Sequence, residues 1–522
     1  MKKSNILLFK ILLFSFFIFI SSNCLTVETN RNDNNIQYRI SNTFKTAGIQ
    51  QEEFFSNTDI PEPSSSATSA SPIPLSASEQ ASIYWGYVTT LWHTIESQIS
   101  DSSISSNHAP SFELISKNIL ARTYTSNDQS FDQSSFISDF ENVSGGKFID
   151  GNSIKFLIDG EESFRYKDYL IKNAKKSIFI SSWAFYDDIT GADALNMLVI
   201  KQKEGVDINI IVDGNIIKSH GVSIIRRMEK AGIKVIRHKE KDRKSDIWHV
   251  KMIVIDNKYA ILGGMNFGDP YSHKNPNGQK WRDTDVLFTG PAVSKASEIF
   301  AEIWNDELKK NSLKFPELPY HFKSSQSNGN TKISFSFSNP PEEFGSPILS
   351  AIIKAIRGAR KKINIENAYF VPIPALTEAL LEARARGVEV NIFTNSKESI
   401  DAEAKPLADV SMKSLFPLFK SGAGIYLKKG DTLHSKFMTV DGIFVSIGSY
   451  NLHPRSERYD TELNINIIDK ENAQYLDKVF EHDITTLATR VNSESELVPD
   501  SSIISEITEK YFFSQLNKTK QN

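Results

Sequence analysis

Five residues recur along this chain at a constant spacing, and this internal repeat constrains the fold more than any other feature of the sequence. Each member of the first set lies 185 residues before its counterpart in the second. Such a match between two parts of one chain predicts two structural units of the same type. The sets are His249, Lys251, Asp256, Gly263 and Asn266, and His434, Lys436, Asp441, Gly448 and Asn451.

The regions around the two sets have the same order of predicted elements. An apolar strand, a helix-period stretch and a second apolar strand follow one another in each half, the second strands being 208–212 and 390–394. Between the halves, 313–331 is rich in Pro, Ser and Asn, as in a linker. We therefore predict two similar α/β lobes, 147–312 and 332–492, which form a pseudo-symmetric body.

Composition limits the class of protein and its partners. The 522 residues are 40% apolar and 24% charged, as in a soluble globular protein. The net charge of -3 provides no global positive field, which makes nucleic acid a disfavoured partner. Cys24 is the single cysteine of the sequence, so it excludes an intramolecular disulfide and a cysteine-based zinc cluster.

Residues 1–24 are typical of a secretory signal. Two lysines precede an apolar run whose charge-free part is about ten residues, shorter than the roughly 20 that span a bilayer. An uncleaved N-terminal anchor is the alternative. Cys24 lies where a bacterial lipoprotein carries its acylated cysteine, and an incidental cysteine fits equally. We expect an exported or cell-envelope protein.

The segments that flank the repeat are polar. Residues 25–146 are rich in Ser, Asn and Asp, which predicts a loosely ordered spacer. Within it, 81–99 has helical apolar spacing, and this helix would pack on the main body or lie on a membrane surface. Residues 493–522 form a polar tail.

The repeated His-x-Lys pattern suits displacement at a phosphodiester. If each motif lies on a strand, as we predict, its His and Lys share one face and both pairs can face one cavity. A neutral imidazole attacks phosphorus, a protonated imidazole gives its proton to the leaving oxygen, and two ammonium groups hold the anionic oxygens. This chemistry calls for no metal and no cofactor. Alone, Asp256 and Asp441 would be read as turn residues, but the duplication favours catalysis.

The two motifs, H-x-K-x4-D followed by G-[GS]-x-N, resemble those of the phospholipase D superfamily over 147–492. Further stretches resemble its bacterial cardiolipin synthase branch. These are Trp281-Arg282-Asp283, Ala368-Tyr369-Phe370-Val371-Pro372 and Asn451-Leu452-His453-Pro454-Arg455-Ser456.

The resemblance implies one active site at the interface of the two lobes. His249 would be the nucleophile and His434 the general acid and base, with Lys251, Lys436, Asp256 and Asp441 completing the catalytic set. In this family a carboxylate on the following strand orients each histidine. We expect Asp283 to serve the first half, with Asp285 in reserve, and Glu462 the second. Asn266, Asn451 and Ser449 would support the site, and Gly264 takes the place of Ser449 in the first half.

The resemblance implies a phosphatidyltransferase of the cardiolipin synthase kind, acting as a monomer at a membrane surface. Its substrate would be phosphatidylglycerol or another glycerophospholipid, and the intermediate a phosphohistidine. A phospholipase D that releases phosphatidic acid and an exported nuclease are the alternatives. A non-catalytic membrane-binding protein is disfavoured, because all six motif residues are intact.

Two further groups of residues have less definite roles. The basic run 237–244 would attract an anionic headgroup or form a solvated loop. The histidines without a repeated partner are expected at the surface or in the core; they are His93, His108, His220, His238, His273, His321, His453 and His482.

Overall fold

The computed structural model describes residues 62–63, 111–126, 129–131, 133–240, 246–340 and 345–498. The predicted signal sequence, the possible helix at 81–99, half of the basic run at 237–244 and the tail beyond 498 lie outside these ranges. Among the described helices, none combines the length and the apolar character that crossing a bilayer requires.

Most of the described strands form one continuous sheet. The strands are β1 Ile149–Ile158, β2 Ser177–Ser182, β3 Asp207–Asp213, β4 Lys234–His238, β5 Ile247–Trp248, β6 Met252–Ile255, β7 Tyr259–Gly263, β8 Thr284–Thr289, β9 Thr331–Ser338, β10 Lys362–Asn367, β11 Glu389–Asn395, β12 Gly424–Lys428, β13 Lys436–Val440, β14 Phe444–Gly448, β15 Asp460–Ile468 and β16 Ala488–Arg490.

Helices alternate with these strands. They are α1 Phe112–Arg122, α2 Ser134–Ser144, α3 Asp159–Asn173, α4 Ile189–Lys203, α5 Val222–Lys230, α6 Asp269–Ser272, α7 Ala292–Asn311, α8 Pro347–Gly358, α9 Pro374–Ala385, α10 Ala408–Lys420, α11 Pro454–Arg458 and α12 Lys470–Thr486. Short 3-10 turns cover Ile216–Lys218, Lys405–Leu407 and Glu494–Leu497.

The strand order confirms the predicted two-fold α/β body. Across the sheet the strands run β4-β3-β2-β6-β7-β8-β1, then β9-β15-β14-β13-β10-β11-β12-β16. Read outward from the centre, the second half repeats the order of the first and adds β16. At the junction β1 pairs antiparallel with β9, with Ile149 opposite Ile333. The sheet therefore continues from one half into the other.

The sequence explains why these strands lie inside. In β2 and β3 nearly all side chains are buried, as expected for strands covered on both faces, and both are rich in isoleucine. The strand predicted at 249–256 is shorter in the structure, where β6 covers only Met252–Ile255. The Asp441–Gly442 pair closes the β13–β14 hairpin with positive φ angles of 54° and 64°, as the sequence predicted.

The two helices before the sheet correct the prediction of a loosely ordered spacer at 25–146. In the described part, α1 and α2 bury Phe112, Phe136 and Phe140 in the hydrophobic core of the second half. The Arg122 guanidinium also donates to the carbonyl of Gly345 at 2.7 Å. The prediction was wrong here because the overall composition of 25–146 is polar, whereas α1 and α2 have apolar residues at helical spacing that pack on the apolar surface of the second half.

Candidate active site

The residues just before each motif histidine cross to the opposite half of the molecule. In the first half, β5 pairs in parallel with the start of β15, and the His249 amide donates to the Thr461 carbonyl at 3.0 Å. In the second, the His434 amide donates to the Arg282 carbonyl at 2.7 Å. Each histidine is thereby built into the backbone of the other half.

This crossing exchanges the carboxylates that we expected within each half. His249 Nδ1 lies 2.9 Å from Glu462 Oε2, and His434 Nδ1 lies 2.8 Å from Asp283 Oδ2. The expected pairs, Asp283 with His249 and Glu462 with His434, are wrong. Sequence order suggested pairing with the next strand of the same half, whereas the backbone crossing brings each histidine to the equivalent strand of the other.

Asp285, the reserve partner, has a different role. Its carboxylate binds the buried Lys167 ammonium at 2.8 Å and accepts from the Ser163 hydroxyl at 2.6 Å. Asp283 lies just before β8 and Asp285 is its second residue, but only Asp283 contacts a motif histidine. Asp285 therefore holds α3 against the sheet.

The two lysines of the motifs are buried beside the histidines. Lys251 Nζ donates to the His249 carbonyl at 2.7 Å, and Lys436 Nζ donates to the His434 carbonyl. Both are at most 4% exposed. Two cationic groups in a water-poor site attract an anion strongly. The two ammonium groups thus form a positively charged centre beside the histidines, and Asp283 and Glu462 offset this charge.

Burial and these charges shift the pKa values in the site. Burial and the Lys251 charge lower the pKa of His249 well below its ordinary value, and burial and Lys436 do the same for His434. Burial also lowers the pKa of Lys251 to about 7 and that of Lys436 to about 8.

The carboxylates move in the opposite direction. Burial raises the pKa of Glu462 to about 8, although the Lys251 charge opposes this, and burial raises the pKa of Asp283. With Nδ1 of each ring directed at a carboxylate, Nε2 is left for chemistry. Neutral His249 is then suited to nucleophilic attack. A bound phosphodiester anion raises the pKa of His434 and favours its acid form.

The difference between Gly264 and Ser449 follows from the carboxylates. A Cβ on Gly264 would lie 2.2 Å from Asp283 Oδ1, so no side chain fits there. In the second half, the Ser449 hydroxyl accepts from the Leu463 amide at 3.1 Å and hydrogen bonds to Glu462, which lowers the pKa of that carboxyl. Glycine at position 264 thus leaves space for the Asp283 carboxylate, whose shorter side chain keeps it close to the backbone of this turn.

Asp256 and Asp441 do not join the histidines. The Asp256 carboxylate accepts from the amides of Lys175, Lys176 and Ser177 at 2.7–2.9 Å, just where β2 begins. Asp441 accepts in the same way from the three amides of 360–362 at 2.7–2.9 Å. Each lies five residues from its motif lysine, which at a rise of about 3.3 Å per strand residue is roughly 16 Å.

The expected catalytic role of these two aspartates is therefore corrected to a structural one. Each caps the chain at the start of the neighbouring strand and fixes the far end of the motif strand. The spacing showed that the two aspartates belong to the motif. It did not show which end of each motif strand lies at the active site.

Aromatic side chains that had no repeated counterpart in the sequence surround His434. The Tyr271 ring meets it edge-on at 5.0 Å, the Trp281 ring stacks on it at 5.5 Å, and Tyr369 lies 6.2 Å away. His453 stacks on Tyr369 at 6.2 Å and is buried, with a pKa lowered by burial to about 3. The remaining supporting residues, Asn266 and Asn451, are buried in the turns after β7 and β14.

Arg282 ties this arrangement together. Its buried guanidinium donates to Asp483 Oδ2 at 2.8 Å and lies 3.6 Å from Glu366, two acids of the second half. Its carbonyl accepts from His434, and Asp283 follows it in the chain. A single residue therefore positions both the histidine and the acid that orients it.

One group of metal-ligand types lies outside this site. His238, Glu240 and Glu307 lie close together, with His238 Nδ1 3.1 Å from Glu307 Oε1. The Lys310 ammonium lies 3.0 Å from Glu240 and 3.7 Å from Glu307. The cluster thus already contains a cation, and we interpret it as an ion-pair network.

A family model described as "Cardiolipin synthase, PLD-like domain" matches the chain twice, at residues 169–304 and 352–484. The two matches cover slightly more than half of the sequence. The chain belongs to this phospholipase D-like family. Each match contains one copy of the motif, so the family assignment and the repeat agree.

Curated relatives in this family are similar over the same body. The chain is 28% identical over 343 residues to the major cardiolipin synthase ClsA of Bacillus subtilis, which covers 65% of the chain and 70% of the relative. It is also 28% identical over 350 residues to the cardiolipin synthase of Listeria welshimeri, with the same coverage. The chain is thus similar to two curated cardiolipin synthases.

Among solved structures, the phosphatidylserine synthase of Haemophilus influenzae Rd KW20 has a phospholipase D-like fold similar to this one. The TM-score is 0.59 with 18% identity, over 73% of this chain and 98% of that one. At this identity the likeness shows the fold alone.

Proposed function

We propose that the protein is a phosphatidyltransferase that works as cardiolipin synthases do, moving a phosphatidyl group from one phospholipid to the hydroxyl of another. The observation that carries the proposal is the pair of histidines with exchanged carboxylates and two lysines in one buried site. The names of the relatives support the choice of a lipid phosphodiester over other phosphodiesters.

The first step forms a phosphohistidine. His249 Nε2 attacks phosphorus, the bond from phosphorus to the headgroup oxygen breaks, and His434 Nε2 gives its proton to that oxygen. Lys251 and Lys436 neutralise the negative charge that builds up on the phosphoryl oxygens. Glu462 holds the His249 ring so that Nε2 faces the phosphorus, and stabilises the charge that the ring acquires.

The second step reverses the roles. An alcohol oxygen attacks phosphorus, the bond to His249 Nε2 breaks, and His434 accepts the proton of the alcohol. Phosphatidylglycerol in both roles yields cardiolipin and glycerol, and water in place of the alcohol yields phosphatidic acid. We propose that this takes place at a membrane surface, where both lipids lie.

The test compares lipid with nucleic acid. The purified full chain is incubated with phosphatidylglycerol vesicles and, separately, with single-stranded DNA, alongside a His249→Ala variant. We expect cardiolipin and glycerol from the wild type and neither from the variant. Phosphatidic acid alone would replace the transferase by a hydrolase. Cleaved DNA with unchanged lipid would overturn the lipid substrate.

A further inference from the structure

Two loops, one from each half, meet beside the ring cluster around His434. The first follows β3 and carries His220, and the second follows β11 and carries Asp401 and Glu403. His220 Nε2 lies 2.9 Å from Glu403 Oε1, so the contact joins the two halves. The histidine side chain is fully buried, whereas the Glu403 side chain is 37% exposed. The glutamate therefore presents a carboxylate edge to solvent at this junction.

Ring contacts link this junction to one of the two catalytic histidines. The His220 ring lies 4.9 Å from Tyr186, Tyr186 lies 6.1 Å from Tyr271, and Tyr271 lies 5.0 Å from His434.

A second route runs through Tyr369, whose hydroxyl donates to Asp401 Oδ2 at 2.5 Å and whose ring lies 6.2 Å from His434. The Glu403 charge contributes to the raised pKa values of both Tyr271 and Tyr369, which are raised first by burial. The Glu403 amide donates to Asp401 Oδ1 at 3.0 Å, so Glu403 lies beside the acid that Tyr369 contacts.

The proposed role of His434 determines which part of a substrate lies next to Glu403 and the rings around His434. In the proposed reaction His434 exchanges a proton with the alcohol oxygen, first of the leaving headgroup and then of the acceptor. The remaining atoms of that alcohol must therefore lie next to His434. The phosphatidyl group remains on His249. Groups that ring contacts link to His434 are placed to recognise the alcohol.

We propose that Glu403, positioned by the buried His220, forms the subsite that binds the acceptor alcohol, and that the subsite takes an uncharged polyol such as the glycerol headgroup of a second lipid. A free hydroxyl donates to the Glu403 carboxylate, a type of hydrogen bond that is roughly twice as strong as one between neutral groups. An ammonium headgroup would face the Lys436 charge, which interacts with Asp401 of the same loop. A carboxylate headgroup would face Asp401 and Glu403.

The proposal rests on the proposed function and adds a prediction of its own. During transfer the acceptor oxygen forms a bond to phosphorus, the bond to His249 Nε2 breaks, and the proton passes to His434. Water makes the same attack but has no second hydroxyl for Glu403. Loss of the Glu403 hydrogen bond should thus impair transfer to a polyol more than it impairs hydrolysis.

The experiment measures both products from phosphatidylglycerol vesicles with the full chain and its Glu403→Gln and Glu403→Ala variants. Losing one hydrogen bond to a charged group corresponds to roughly a tenfold effect. We expect the ratio of cardiolipin to phosphatidic acid to fall about tenfold in both variants, and the KM for added isotope-labelled glycerol, followed as label incorporated into phosphatidylglycerol, to rise by a similar factor. Glu378→Gln, the same change at an exposed residue of α9, is the control and should leave the ratio unchanged.

The other outcomes separate the possibilities. A proportional loss of both products, with the ratio unchanged, would give Glu403 a structural role and overturn the subsite. A variant that loses transfer to ethanolamine but retains transfer to glycerol would overturn the polyol assignment. A wild type that releases neither product would overturn the proposed function itself, and the subsite with it.

Discussion

The two halves of the active site share a plan but differ in their surroundings. His249 has the longer Glu462 as its partner, and its side chain is 13% exposed. His434 has the shorter Asp283, is 5% exposed, and is enclosed by Tyr271, Trp281 and Tyr369. The half that we assign to nucleophilic attack is thus the more open one, and the half that handles the proton is enclosed by rings.

This difference shows how a duplicated fold acquires two distinct roles. The motif residues are the same in both halves, so the roles cannot come from them. They come from the residues that each half contributes to the other, above all the exchanged acids and the Arg282 anchor. The predictions below test this asymmetry.

The largest effect is expected from the histidines. We expect His249→Ala and His434→Ala each to lose about 1,000-fold or more in turnover of phosphatidylglycerol. A phosphodiester with a p-nitrophenol leaving group needs no acid, so His434→Ala should still release one equivalent of p-nitrophenol in a burst. His249→Ala should give no burst. A burst in His249→Ala alone would reverse the two roles.

The exchange of acids is tested by Asp283→Asn and Glu462→Gln. Each should lower turnover by roughly 100-fold or more, because the amide no longer orients the ring or stabilises its charge. With the p-nitrophenyl substrate, Asp283→Asn should retain the burst, as His434→Ala does, while Glu462→Gln should slow it. The opposite result would mean that each acid serves the histidine of its own half.

The lowered pKa values of the two motif lysines predict a fall in activity at alkaline pH. An ammonium is charged below its pKa and neutral above it, and these pKa values are about 7 for Lys251 and about 8 for Lys436. We expect kcat/KM of the wild type to decrease in two steps as the pH rises through 7 and 8, and the ionisation of Glu462, whose pKa is also about 8, to oppose the second step. In Lys251→Arg, whose guanidinium stays charged, only the step near 8 should remain. A profile flat to pH 9 would contradict the assignment.

The smallest effect on chemistry is expected from Asp256→Asn and Asp441→Asn. In each variant an NH2 group replaces one carboxylate oxygen and faces a backbone N–H, so that a hydrogen bond is lost. This loss lowers the free energy of unfolding by about 1 to 3 kcal/mol. We expect Tm to fall by roughly 2 to 6 °C, with kcat at 25 °C within about threefold of the wild type. Equal losses in both variants would fit the symmetric capping, and a 100-fold loss of kcat without a change in Tm would restore a catalytic role.

Much of the site could be predicted from the sequence because its signals are local. The constant spacing of the two sets identified His249, Lys251, His434 and Lys436, and the order of strands and helices predicted the two α/β halves. Asp283 was also preferred over Asp285 as the partner of a motif histidine, although in the structure that histidine is His434 and not His249.

What the sequence could not supply depends on distant parts of the chain. The helices α1 and α2 lie in a segment whose overall composition is polar, and they are stabilised by a core that other segments build. The rings around His434 have no repeated counterpart, so nothing in the spacing marked them.

The sequence by itself thus determined the fold class, the duplication and the reactive groups, because periodicity and repeated motifs are properties of the chain. Only the tertiary structure decided which acid orients which histidine and which end of each motif meets the substrate. The physical reason is the backbone pairing of β5 with β15 and of His434 with Arg282. These hydrogen bonds carry each histidine into the opposite half, and no spacing within a half encodes that exchange.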